Sequence, residues 1–199
     1  MKYQGKSNVP LNQKGLDQAR NTAYRLSSSF SPDIIFSSPM KRALVTAQII
    51  NGHNERLLSI EKLDDLSEID FGDWEGKTLH ELKENDNDRY SRWRKDPLGV
   101  VPPGGESFEN ISSRVSRSLS HILASKKTRI LVVSHGGIIR VAAKILLGID
   151  PSLIWKLRLD NCSISIFDIW NDTSTLVTWN DHIHNEIPPS LVASIPLSV

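Results

Sequence analysis

Arg129-Ile-Leu-Val-Val-Ser-His-Gly-Gly-Ile-Ile-Arg140 is the stretch whose reading decides the fold. Residues 130–133 are continuously apolar rather than alternating, and polar residues and glycines bound them, which predicts a strand buried on both faces. Apolar positions then recur at helical spacing through Ile138, Ile139, Val141, Ala142, Ile145 and Leu146. His135 therefore stands at the carboxyl end of a parallel strand, the edge where open α/β sheets bind ligands. Gly136 and Gly137 let the backbone approach a ligand and put free N–H groups at a helix start, which favours an anion. The same pattern also suits an ordinary strand-to-helix turn, so by itself it nominates His135 and Gly136 without giving them a chemistry.

A second junction of the same kind lies upstream. Residues 33–36 form a short apolar run, Ser37-Ser38-Pro39 ends it, and a helical pattern follows over 40–50, with Pro39 suited to the first turn. Arg42 falls near the start of that helix, where its charge opposes the macrodipole; an anion bound between them would resolve the conflict. A solvated Arg beside Lys41 is the plainer reading. Between the two junctions, residues 60–66 read as a strand closing at Ser67-Glu68, next to the aromatic loop Phe71-Gly72-Asp73-Trp74-Glu75-Gly76. Glu68 there has the setting of a general acid. Asp64, Asp65, Asp70, Asp73 and Glu75 crowd the same segment, which is the pattern of a solvated face and lacks the spacing of a calcium loop.

Helices are expected over about 12–26, 79–83, 90–94 and 107–124, the third following the second across a polar, mobile stretch. Residues 97–105, with three prolines and three glycines, are irregular. A short helix from Pro151 and strands at 162–167 and 176–179 complete an alternation that means α/β with right-handed crossovers. The 199 residues suit one domain over 1–199, with 187–199 an irregular tail. Lys and Arg number 24 against 23 Asp and Glu, so no bulk field points to nucleic acid or an acidic membrane. No apolar run of about 18 residues would span a bilayer. Cys162, the single cysteine, excludes an internal disulfide and suits a reducing, cytoplasmic setting; its alternating surroundings read as a buried, inert thiol. His182 and His184 are a weak metal signal with no third ligand, so no metal is expected.

Four blocks in order resemble the histidine phosphatase superfamily: Tyr3-Gln4-Gly5 with Val9-Pro10-Leu11, residues 37–47, Leu66-Ser67-Glu68 with the Phe71 loop, and Ser134-His135-Gly136-Gly137. Pro102-Pro103-Gly104-Gly105-Glu106-Ser107 before a long helix resembles the phosphatase branch, including α-ribazole phosphatase-type members, more than the true mutases. The resemblance implies a phosphoglycerate mutase-like three-layer sandwich with a mostly parallel central sheet. It also implies hydrolysis of a small phosphorylated metabolite through phosphohistidine, without cofactor or metal, and is compatible with a homodimer. By motif, Arg42 resembles a phosphate-binding arginine, Glu68 the proton donor and His135 the second pocket histidine, with Gln4, Gly5 and Gly136 among the phosphate-binding positions.

In the family, a first central strand ending in Arg-His-Gly supplies the attacking histidine just before the segment matching residues 2–5, where Met1 stands here. The expectation is therefore that the 199 residues lack the nucleophile and have no appreciable turnover, and that the strand before His135 lacks a neighbour. A misplaced start and a truly shortened gene both explain this. Mutase-type phosphoryl transfer and a non-catalytic phosphate-binding domain stay open as alternatives. An esterase is discounted because no Gly-x-Ser-x-Gly occurs.

Overall fold

Three parallel strands carry the architecture. In the computed structural model, which describes residues 2–171 and 173–186, β1 (Ile34–Ser37) lies between β2 (Ile60–Lys62) and β3 (Ile130–Val133). Ile35 pairs in register with Ile60 on one side and Leu131 on the other. Parallel pairing requires long crossovers, and helices supply them. α1 (Gln13–Ser27) precedes β1, and α2 (Lys41–Asn51) follows it. α3 (Leu79–Asn85), α4 (Asn87–Lys95) and α5 (Phe108–Ala124) lie between β2 and β3, and α6 (Gly136–Leu147) follows β3.

The core divides into two layers by the pleat. Leu131 and Val133 pack with Ala23 and Leu26 of α1 and Ile50 of α2, while Ile130 and Phe36 face Ile111, Val115 and Ile122 of α5 and Ile138 and Val141 of α6. The fold is thus α/β, a parallel sheet between helical layers. Local chemistry sets the helix starts. The Asn12 side chain accepts from Gly15 N, Ser107 caps α5, and Thr78 with Glu81 forms a capping box on α3.

β4 (Ile164–Trp170) and β5 (Thr173–Asp181) form a separate antiparallel hairpin. Ile164 and Ile166 pack onto the same cluster as Leu131 and Val133. Among the described residues β3 pairs only with β1. The expectation of burial on both faces is accordingly corrected: Val132 is 39% exposed, and no strand among the described residues lies beside the second edge of β3.

Three further expectations change. The strand expected over 60–66 stops at Lys62 and becomes a 3-10 turn at Asp64–Leu66. Only Asp86 separates α3 from α4; its carboxylate accepts from Trp74 Nε1 at 3.0 Å, and Tyr90 and Trp93 are buried just beyond, so this is a packed corner. Cys162 lies in a turn before β4 with φ +56° rather than in the strand. Burial pushes its thiol up to about 11, in keeping with an inert group. The expected tail lies outside the described residues.

Candidate active site

The carboxyl ends of β1 and β3 meet where Ser38 N donates to Val133 O at 2.9 Å. That register sets Ser38 against His135, whose Nε2 is 2.8 Å from Ser38 Oγ. Both residues are buried. His135 is the extended residue immediately before α6, so its ring leaves the chain where the helix begins. Burial first, then the charges of Arg42 and Arg114, push the imidazole down to about 3, leaving it neutral near neutral pH.

Arg42, the second residue of α2, spans the gap to the N-terminal loop. Its Nη1 donates to Ser7 O and its Nη2 to Gly5 O, each at 2.8 Å. A guanidinium has five N–H donors, so three are left over from these bonds among the described residues. The amides of the same loop turn the other way, Lys6 N at 2.7 Å and Ser7 N at 2.9 Å from the Glu75 carboxylate. The loop is clamped by its carbonyls on one side and its amides on the other. Gly5 is required there, since a Cβ would collide with Glu75 Oε1 and the Ile69 carbonyl. Gln4, next to it, is exposed.

Glu68 reaches the same pocket from the loop after β2. Its Oε1 accepts from Ile69 N at 2.9 Å and its Oε2 from Gly137 N at 3.3 Å, so the carboxyl sits over the start of α6. Burial raises its pKa, opposed by those two amides and by Arg42 and Arg114. A carboxyl held above its ordinary range by burial keeps its proton to higher pH than an exposed glutamate. Gly137 makes room for it; a Cβ there would lie 2.5 Å from Glu68 Oε1.

The loop carrying Glu68 is held by side chains rather than by strand pairing. Arg114 Nη1 donates to Asp65 O at 2.7 Å and Ser67 O at 2.6 Å, its Nη2 reaches Glu68 O at 3.4 Å, and Ser134 Oγ donates to Leu66 O at 2.8 Å. Glu106 closes the arrangement with two bonds to Arg114, at 2.7 and 2.9 Å.

The structure thus brings together Arg42, Glu68, His135, Gly5 and Gly136. Sequence reasoning missed Ser38, Glu75, Glu106 and Arg114. Glu75 was hidden by the neighbouring carboxylates, whereas Arg114 had a legible signal, a charge between Ile111 and Val115 on the apolar face of a helix. The other histidines lie elsewhere: His53 against Tyr24, His80 beside Glu84, His121 beside Glu61, His182 beside Glu186, and His184 beneath Cys162 and Thr22. Among the described residues no three His, Cys, Asp or Glu side chains are placed to hold a metal, and no helix is long and apolar enough to cross a membrane.

Comparison with known proteins fits this geometry. The family model of the histidine phosphatase superfamily (branch 1) matches residues 1–182. The adenosylcobalamin/alpha-ribazole phosphatase of Escherichia coli K12 is 32% identical over 179 residues, which cover 89% of this chain and 87% of that protein. Phosphoserine phosphatase 1 of Hydrogenobacter thermophilus is 32% identical over 185 residues, covering 92% and 86%. The crystal structure of the alpha-ribazole phosphatase from Shigella flexneri superposes with a TM-score of 0.81 at 31% identity, covering 91% of this chain and 89% of that one.

Proposed function

The chain belongs to the histidine phosphatase superfamily, branch 1, and from that premise we propose that its pocket serves the hydrolysis of a small phosphorylated metabolite through a phosphohistidine. The observation that carries this reading is the convergence of Arg42, His135 and a burial-raised Glu68 at the carboxyl ends of β1 and β3.

Each group has a separable task. Arg42 and His135 hold the phosphoryl oxygens, where fixed donors in a dry site count for most. Binding a phosphate dianion beside His135 raises its pKa, so the neutral ring takes up a proton as the ligand enters. A histidine nitrogen attacks phosphorus, the P–O bond to the leaving group breaks, and Glu68 delivers its proton to the departing alkoxide oxygen. The Glu68 carboxylate then removes a proton from water as that water attacks the phosphohistidine phosphorus, the P–N bond breaks with its electron pair returning to the ring nitrogen, and inorganic phosphate leaves.

Of the described histidines only His135 lines this pocket, and its partner is Ser38. The family resemblance implies an attacking histidine in an Arg-His-Gly segment, a motif the 199 residues do not contain, and these residues alone are proposed to bind without turnover. The test is p-nitrophenyl phosphate hydrolysis by the 199-residue polypeptide and by a fusion placing an apolar strand ending in Arg-His-Gly before Lys2. Turnover is expected only in the fusion, and it should vanish when that histidine becomes alanine. Phosphate binding without turnover in either protein would favour the non-catalytic reading.

A further inference from the structure

The backbone from Asp65 to Glu68 continues from β2 without strand pairing, and its four consecutive carbonyls all accept from side chains. Arg114 supplies three of these bonds and Ser134 the fourth. Buried carbonyls without partners are costly, so the path of this loop is set by whatever donates to them. Arg114 comes from the middle of α5, the longest helix, where Ile111 and Val115 fix the same face in the core. The two Glu106 bonds use the remaining edge of the guanidinium and neutralise it. A planar fork can serve several acceptors at fixed angles; a lysine ammonium at this position could not reproduce that geometry.

We propose that Arg114, anchored by Glu106, is the positioning residue for the acid of this pocket, fixing where the Glu68 carboxyl stands relative to Gly137 and Arg42. It touches neither substrate nor reacting atoms in this role. The proposal rests on the reading of Glu68 as proton donor for its meaning but not for its test. The charged groups facing Glu68 are Arg42 from α2, Arg114 from α5 and Arg140 from α6, the last bonded to Gly136 O and Leu157 O. Removing the charge of Arg114 without moving the loop would raise the Glu68 midpoint further. Releasing the loop into water would lower it to the range of an exposed glutamate. The two roles therefore have opposite signs.

The experiment is titration of the Glu68 carboxyl carbon by NMR in the unmodified 199-residue protein and in Arg114→Lys, Arg114→Gln and Glu106→Gln, with Arg117→Gln as control. Arg117 lies one turn along α5 and pairs with the side chain of Asp65 at the surface. Positioning predicts that both Arg114 variants drop the Glu68 midpoint into the ordinary range and speed exchange of the Ile69 and Gly137 amides, while Arg117→Gln changes neither. A midpoint retained in Arg114→Lys, or raised in Arg114→Gln, overturns the proposal. Should the Arg114 variants not fold, Glu106→Gln decides by amide exchange, since loss of a nearby anion lowers the Glu68 midpoint by itself: faster exchange of the Ile69 and Gly137 amides supports positioning, and unchanged exchange refutes it. No substrate enters this measurement, so failure of the hydrolysis test leaves its outcome separate.

Discussion

Arg114 with Glu106 and Arg25 with Asp181 are the same chemical pair, a buried guanidinium on a helix bonded to a carboxylate, yet they are finished differently. Around Arg114 every guanidinium nitrogen has a partner, and most of those partners belong to the Glu68 loop. Around Arg25, which is 2% exposed, Nη2 binds Asp181 at 2.8 Å, while Nε and Nη1 have no partner among the described residues. The nearby histidines follow suit. His135 is set against Ser38 at the pocket, whereas His184 shares its Nε2 between the Cys162 carbonyl and Thr22 and leaves Nδ1 without a partner among the described residues. Buried charge at the pocket holds an irregular loop in place; in the second cluster it is chiefly a desolvation cost.

The sharpest way to break this comparison is to replace each pair with apolar residues. Exchanging a buried ion pair for well-packed apolar side chains is often neutral or stabilising. Arg25→Met with Asp181→Leu should therefore change urea-unfolding stability by less than about 1 kcal/mol. Arg114→Met with Glu106→Leu should cost about 3–5 kcal/mol, because the carbonyls of Asp65 and Ser67 lose their donors at about 1–3 kcal/mol each and the Glu68 loop loosens with them. Equal costs for the two doubles would dissolve the distinction.

A smaller effect tests the fit of the pocket itself. Gly137→Ala puts a Cβ 2.5 Å from Glu68 Oε1 and 2.6 Å from Ile69 Cδ1, an overpacking worth about 1–3 kcal/mol in thermal or urea melts. Gly148→Ala meets no atom within 4 Å, and only its φ of +65° opposes it, at about 1 kcal/mol.

The pH dependence should distinguish the two histidines least strongly, and with one sign. His135 titrates at about 3 when folded and at about 6.5 when unfolded. Between those values the unfolded chain binds the extra proton, so stability is lost as pH falls through the window, by up to about 1.4 kcal/mol per pH unit. His135→Gln should remove that slope. His184 is lowered for the same reason, burial, and His184→Gln should remove a shallower slope of the same sign. Both are read from unfolding free energies at a series of pH values.

Much of this was legible in the chain. The apolar run before Ser134-His135 and the shorter one before Ser37-Ser38 gave two strands of a parallel sheet, with His135 just beyond the carboxyl end of one. The order of four motif blocks then gave Arg42, Glu68 and His135 their company. What the sequence did not disclose was what holds them. Residues 64–68 have the composition of a strand end, but the carbonyls of Asp65, Ser67 and Glu68 are satisfied by Arg114, about fifty residues on, and no local pattern encodes a bond across that separation. Glu75 looks like one more surface carboxylate until its oxygens are seen to collect the amides of Lys6 and Ser7. Val132 was misjudged because periodicity reports the two faces of a strand and is silent about its edges.

The most direct measurement is calorimetric titration of inorganic phosphate into the 199-residue protein, alone and as Arg42→Ala and His135→Ala. Expected is saturable one-site binding accompanied by proton uptake, weakened about 10- to 100-fold in each variant, the equivalent of losing one charge-assisted bond of about 1.5–3 kcal/mol. Absence of binding, or binding that both variants leave unchanged, would contradict the assignment of this pocket to phosphate.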